Sequence, residues 1–103
     1  MLSEDRKKEL GEQVEALARL VSLCLSHRGG GTYPIIDFLM SMYDGECYRP
    51  DMQLLSRRID AQPFEDVLKV MRLYRATGKE PHTFFTDGQA LFARLASFTD
   101  PVK

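Results

Sequence analysis

The sequence predicts a single all-α domain, and three observations carry that expectation. Apolar residues recur at spacings of three and four in several separate stretches, the period of helices with a buried stripe, while sustained two-residue alternation appears nowhere. Cap residues precede these stretches and Gly or Pro follows them. The chain has 103 residues, of which 27 are Leu, Ile, Val or Phe. That is enough apolar side chain for one packed core and too little chain for two. The expected architecture is one domain over residues 1–103: a bundle of four main helices plus one short helix, with helix 61–77 central.

The first helix is expected from Glu4 to His27, with Ser3 as N-cap and the acids Glu4 and Asp5 at the positive end of the helix dipole. Leu10, Val14, Leu17, Val21 and Cys24 form its stripe, and Glu12, Glu15, Arg19 and Ser22 fall on the other side. His27, Arg28 and Gly29 make its C-terminal ending. A second helix starts at Thr32 with Pro34 in its first turn, where a missing N–H costs nothing, and ends at Gly45. Its residues Ile35, Ile36, Phe38, Leu39, Met42 and Tyr43 cover more than one face, so it is expected to be buried on two sides. Pro50 opens a short third helix over Asp51–Arg57, with Met52, Leu54 and Leu55 inward.

The fourth helix is capped by Asp60, carries Pro63 in its first turn and stops at Gly78. Phe64, Val67, Leu68, Val70, Met71, Leu73 and Tyr74 occupy more than half its circumference, and a helix apolar on most sides is packed by several neighbours. Glu65 and Lys69 form an i,i+4 pair of the favourable orientation. The fifth helix is expected over Asp87–Phe98, started by a capping box of Thr86 and Gln89 and stopped by Asp100-Pro101. Leu91, Leu95 and Phe98 are its stripe, with Phe92 and Ala96 flanking. Lys79–Phe85 is the only stretch that reads as extended.

Composition excludes several functional classes. The net charge is −1, which speaks against a strongly basic nucleic-acid coat, and the contrast between residues 1–51 (−3) and 52–103 (+2) is too mild to name a partner. The opening residues MLSEDRKKEL lack the apolar core of a secretory signal, and no apolar run approaches the roughly 20 residues of a membrane span. A cytoplasmic protein with no membrane contact is expected, with Cys24 and Cys47 reduced.

No motif in the chain builds a catalytic or cofactor site. The run Gly29–Gly31 lacks the Lys and Ser/Thr that a phosphate loop needs after its last glycine, and reads as a helix connector. Cys24, His27, Cys47 and His82 match the ligand count of a tetrahedral zinc, but Cys47 and His82 belong to no paired knuckle, and Cys24 sits on an apolar stripe. Cys47 with His82 would need a fold that brings two loops together to act as nucleophile and base. Asp44 and Glu46 flank Gly45 and read as turn residues. No enzyme activity, no cofactor and no metal are expected.

Two binding readings remain. The loop Tyr43–Pro50 is rich in Tyr and Arg, residue types enriched at protein–protein hot spots, and Pro81–Phe85 adds aromatic residues. Tyr43, Tyr48, Arg49, His82 and Phe84 are therefore the candidate protein-contact residues, set against the simpler reading that their rings cover helix ends. The alternative is a DNA-binding regulator using a basic strip of Arg57, Arg58, Lys69 and Arg72 around the junction of the third and fourth helices. Against it, the fourth helix is too apolar for a recognition helix, and Glu65 and Asp66 would face phosphates. The partner is thus expected to be a protein of unidentified kind or a second copy of the chain, because two-sided apolar helices in a small chain often finish their burial in a dimer.

The blocks ALARLVSL, IIDFLMSMY, LLSRRID and DVLKVMRLY, from Ala16 to about Ala96, give the chain a resemblance. It resembles a family of small uncharacterised helical proteins from proteobacteria, often encoded on plasmids and integrative elements. Tyr43 stands where those relatives tend to carry tryptophan, and this chain has no Trp. The resemblance implies a helical fold and a bacterial source. It implies no activity and no functional residue.

Overall fold

The computed structural model describes residues 3–27, 29 and 31–102. Five α-helices follow one another: α1 (Glu4–Ser26), α2 (Tyr33–Tyr43), α3 (Met52–Arg57), α4 (Ala61–Thr77) and α5 (Gly88–Ala96). A single 3-10 turn over Pro81–Phe84 stands before α5. Among the described residues there is no strand, so the all-α expectation holds.

Local chemistry accounts for most helix ends. Ser3 caps α1, its Oγ accepting from the Arg6 N–H at 3.1 Å. Asp51 caps α3 in the same way, accepting from the Leu54 N–H at 3.1 Å. Gly78 ends α4 with φ 65°, the left-handed conformation that a residue without Cβ adopts at no steric cost. Thr32 precedes α2 but does not cap it. Its hydroxyl donates to the Gly29 carbonyl (3.1 Å) and accepts from the Gly29 N–H (3.2 Å), closing the turn behind it. α2 stops at Tyr43, before Gly45, because the Asp44 carboxylate takes the next free amides, Glu46 N–H at 3.2 Å and Cys47 N–H at 3.3 Å. Arg28 and Gly30, in the expected helix ending and glycine run, lie outside the described residues.

The segment before α5 departs from expectation. Residues 81–84 wind into the 3-10 turn, with Pro81 at its first position, where the fixed φ suits a helical start. The Thr86/Gln89 capping box does not form: α5 starts at Gly88 behind Asp87, with no side-chain cap bond. Tertiary contact overrides the local signal there. The backbone of the 3-10 turn lies so close to Gly88 that a Cβ would clash with the His82 carbonyl oxygen.

One core cluster ties the elements together. α1 contributes Leu17, Leu20, Val21 and Cys24, α2 Ile35, Ile36, Phe38, Leu39 and Met40, α3 Leu55, α4 Val67, Val70 and Leu73, and α5 Phe92 and Leu95. The C-terminal segment is fastened to it by two bonds: the Thr99 hydroxyl donates to the Asp37 carboxylate at 2.5 Å, and the Val102 N–H to the Cys47 carbonyl at 2.6 Å.

The centre of the bundle is α2, not helix 61–77. α2 touches α1, α3, α5 and the 3-10 turn, whereas α1 is the only substantial neighbour of α4. Met71 and Tyr74 of α4 are 44% and 40% exposed. The apolar residues around α4 outnumber the neighbours that the chain folds against it. Two smaller inward assignments also change. Met52 of α3 is exposed and Leu54 half-buried, leaving Leu55 as the anchor of that short helix, and in α5 it is Phe92 with Leu95, rather than Leu91, that is fully buried.

Candidate functional site

α4 is locked onto α1 by a charged clamp. Asp66 is nearly fully buried (side chain 3% exposed), and Arg19 of α1 holds it in two parallel bonds, Nη2 to Oδ1 at 2.9 Å and Nε to Oδ2 at 3.1 Å. Gln62, one turn earlier on α4, donates a third bond to Oδ1 at 3.2 Å. The hydrogen bond to Asp66 raises the Arg19 guanidinium above its ordinary pKa. The sequence does not mark the two as a pair: Arg19 falls on the polar side of α1, and Asp66 reads as a surface acid.

With that face fixed, the direction of the remaining α4 side chains follows from the 100° step per residue. Asp66, Val67, Val70 and Leu73 are buried. Phe64, Leu68 and Met71, spaced four and three apart, point to a different sector of the helix. Phe64 and Leu68 are half-buried, Met71 is exposed, and among the described residues none of the three belongs to the core cluster or to the side chains packed against it. The seam continues at Arg75, four residues on. Glu65 and Arg72 lie on its flank, seven residues apart and so on one side of it. The i,i+4 pair of Glu65 with Lys69 is not among the ion pairs of the described residues, and no carboxylate of these residues pairs with Arg72 or Arg75.

The structure distributes the candidate protein-contact residues differently. Tyr43 stacks on Phe92 with ring centroids 5.5 Å apart, and His82 meets Tyr43 edge-on at 4.8 Å. His82 Nδ1 lies 3.5 Å from a Glu80 carboxylate oxygen. Tyr48 and Phe84 are half-buried against the core, and of the five residues only Arg49 is exposed. These rings are occupied in covering helix ends. The basic residues are likewise divided. Arg58 lines a groove of about 300 Å³ with His27, Thr32 and Asp60, and Arg72 lines another of about 300 Å³ with Arg6, Glu9 and Arg75. Arg57 is exposed on α3 and Lys69 is half-buried on α4.

A larger groove of about 410 Å³ runs along the clamp between α1 and α4, over Arg19, Leu23, Ser26, His27, Pro63 and Asp66. Its lining carboxylate, Asp66, is taken up by Arg19 and Gln62, and the His27 imidazole at its edge has no acid or second base beside it among the lining residues. Of the four zinc-ligand candidates, Cys24 is buried in the core, where burial pushes its thiol up to about 12. His27 is the exposed C-cap of α1, and His82 sits against Tyr43 and Phe92. Among the described residues no three His, Cys, Asp or Glu side chains come together in a metal-binding group. No described helix is long and apolar enough to cross a membrane.

Compared with known proteins, residues 14–100 match the model of DUF7673, a family of unknown function. No curated protein and no solved structure matches the chain.

Proposed function

The chain belongs to this family of unknown function, and we propose that it is a non-enzymatic protein–protein interaction module that docks an amphipathic helix on the outer face of α4. One observation carries the reading: Phe64, Leu68 and Met71 form an apolar seam outside the core, on a helix whose opposite side is locked to α1. Residues at four- and three-residue spacing present the knobs that a second helix receives between its own. The charges supply polarity for orientation, with Glu65 on the flank toward one end, and Arg72 on the flank and Arg75 at the close of the seam toward the other. The sequence resemblance further supports an accessory role in bacteria, on a mobile element. A nucleic-acid contact through Arg57, Arg58, Lys69 and Arg72 has less support, because Arg58 and Arg72 line separate grooves.

The test is capture from native bacterial lysate, with and without nuclease treatment, on the intact chain, in parallel with Met71→Glu and with the double variant Tyr48→Ala, Arg49→Ala. The expected result is a stoichiometric protein, a second copy of the chain included, retained by the wild type and the double variant and released by Met71→Glu. Equal retention by Met71→Glu overturns the α4 face. Binding that disappears with nuclease treatment overturns the protein reading in favour of nucleic acid.

A further inference from the structure

Resting on that reading, we infer that the helix docked on α4 is α4 of a second copy, running antiparallel. The seam is complementary to itself in that direction and not in the other. A two-fold axis between Lys69 and Val70 sets Leu68 against the partner's Met71 and Phe64 against the partner's Arg75, a guanidinium over an aromatic face. On the flank, Glu65 meets the partner's Arg72, and the symmetry makes this contact twice. Parallel pairing would place Arg75 beside the partner's Arg75 in the seam and set Glu65 and the partner's Arg72 on opposite flanks, so a like-charge contact and two lost pairs select against it. Within the chain, Glu65, Arg72 and Arg75 are in none of the ion pairs of the described residues, so all three are available for this contact.

The same arrangement resolves the mismatch between sequence and fold at this helix. α4 has apolar side chains for two neighbours and receives one, α1, from its own chain. In the dimer it lies between α1 and the second α4, as α2 lies among its neighbours inside the monomer. A single helix seam is at the small end of protein interfaces, so the dimer is a dynamic one, with a dissociation constant on the order of 10 µM.

The experiment is sedimentation of the intact chain across roughly 1 µM to 1 mM, bracketing that constant, with circular dichroism confirming that each variant is folded. The mass of the wild type should rise from 11.8 kDa to twice that value. Met71→Glu should weaken dimerisation by at least about tenfold, because pairing would drive the new carboxylate out of water against an apolar Leu68. Charge reversal then fixes the direction. Glu65→Arg alone and Arg72→Glu alone should each dimerise more weakly than the wild type, since each sets like charges opposite at both flanks. A mixture of the two variants should form a mixed dimer tighter than either alone, with both flanks again paired as oppositely charged groups and the advantage shrinking at high salt. A wild type that stays at 11.8 kDa overturns the second-copy assignment but leaves the capture experiment as the separate test of the α4 face. A dimer indifferent to Met71→Glu, or single variants that gain nothing from mixing, overturns the antiparallel α4 pairing.

Discussion

α2 and α4 are alike in sequence and opposite in situation. Both carry apolar residues over more than one face, and both have a proline in the first turn. α2 is surrounded by α1, α3, α5 and the 3-10 turn and buries Ile35, Ile36, Phe38, Leu39 and Met40. α4 has α1 as its one substantial neighbour, and on its far side Phe64 and Leu68 are half-buried and Met71 is exposed. What differs is where each helix falls in the chain. α2 lies in the middle of the topology, with connections on both sides that return elements against it. α4 is followed by the short turn that sends the chain away to α2, so among the described residues no second helix packs substantially on its far side. An apolar circumference thus states how many neighbours a helix can use, and the topology decides how many the same chain supplies.

The contrast can be broken or sharpened by measurement. Leu39→Ala, in fully buried α2, should cost about 2–5 kcal/mol in chemical denaturation, through the forfeited transfer energy and the cavity left behind. A cost below 1 kcal/mol would remove α2 from the centre. Gly88→Ala tests the tight approach of α5 to the 3-10 turn that closes over α2. The added methyl has backbone on its path, so a loss of about 1–3 kcal/mol is expected, with fluorescence from the tyrosines of that region reporting the shift. Arg19→Ala, which frees α4 from its clamp, should cost about 2 kcal/mol. This is less than for a fully enclosed pair, because the Arg19 side chain is 47% exposed and water reaches Asp66 once it is removed. Met71→Ala, at the outer seam of α4, should change monomer stability by less than about 0.5 kcal/mol. A loss of about 2 kcal/mol there, the size expected of a buried position, would mean that α4 is packed on both sides within one chain.

The thiols give a further, pH-dependent probe of the α1 face that both helices share. The folded-state value of Cys24, about 12, lies above its ordinary value of 9.0, so burial favours the neutral thiol. The stabilisation this represents is complete below pH 9 and is lost as pH rises from about 9 toward 12, since only the unfolded chain releases the proton there. A thiol reagent at a pH of about 8 should therefore leave Cys24 unreacted in the folded protein and label it on denaturation. Rapid native labelling of Cys24 would show that the α1 face opens.

Much of the fold is legible in the sequence, for identifiable reasons. Periodicity locates the four main helices and Pro50 announces the short third, while Ser3 and Gly78 mark ends, because caps and glycine stops act over three or four residues; Asp51, expected inside α3, proves to be its cap. Local signals fail where packing between elements intervenes. The Thr86/Gln89 box loses to the close approach at Gly88, and residues 81–84 wind into a turn against α2 and α5. The aromatic loops offer the residue types of a contact surface, yet Tyr43, His82 and Phe84 pack inward, because composition says nothing about which side of a ring meets the core. The α4 seam is visible in the sequence as surplus apolarity, and surplus apolarity reads as centrality until the neighbours are known.

By itself, then, the sequence determined the helical class, the number and order of the helices and most of their ends, since these depend on side-chain period and on hydrogen bonds between near neighbours. Only the tertiary structure decided that α2 is the centre, that Arg19 and Asp66 meet across 47 residues of chain, and that Phe64, Leu68 and Met71 are left outside the core. Those outcomes depend on which helices lie side by side, and that is settled by competition among several apolar faces for a limited number of partners, not by any one stretch of the chain.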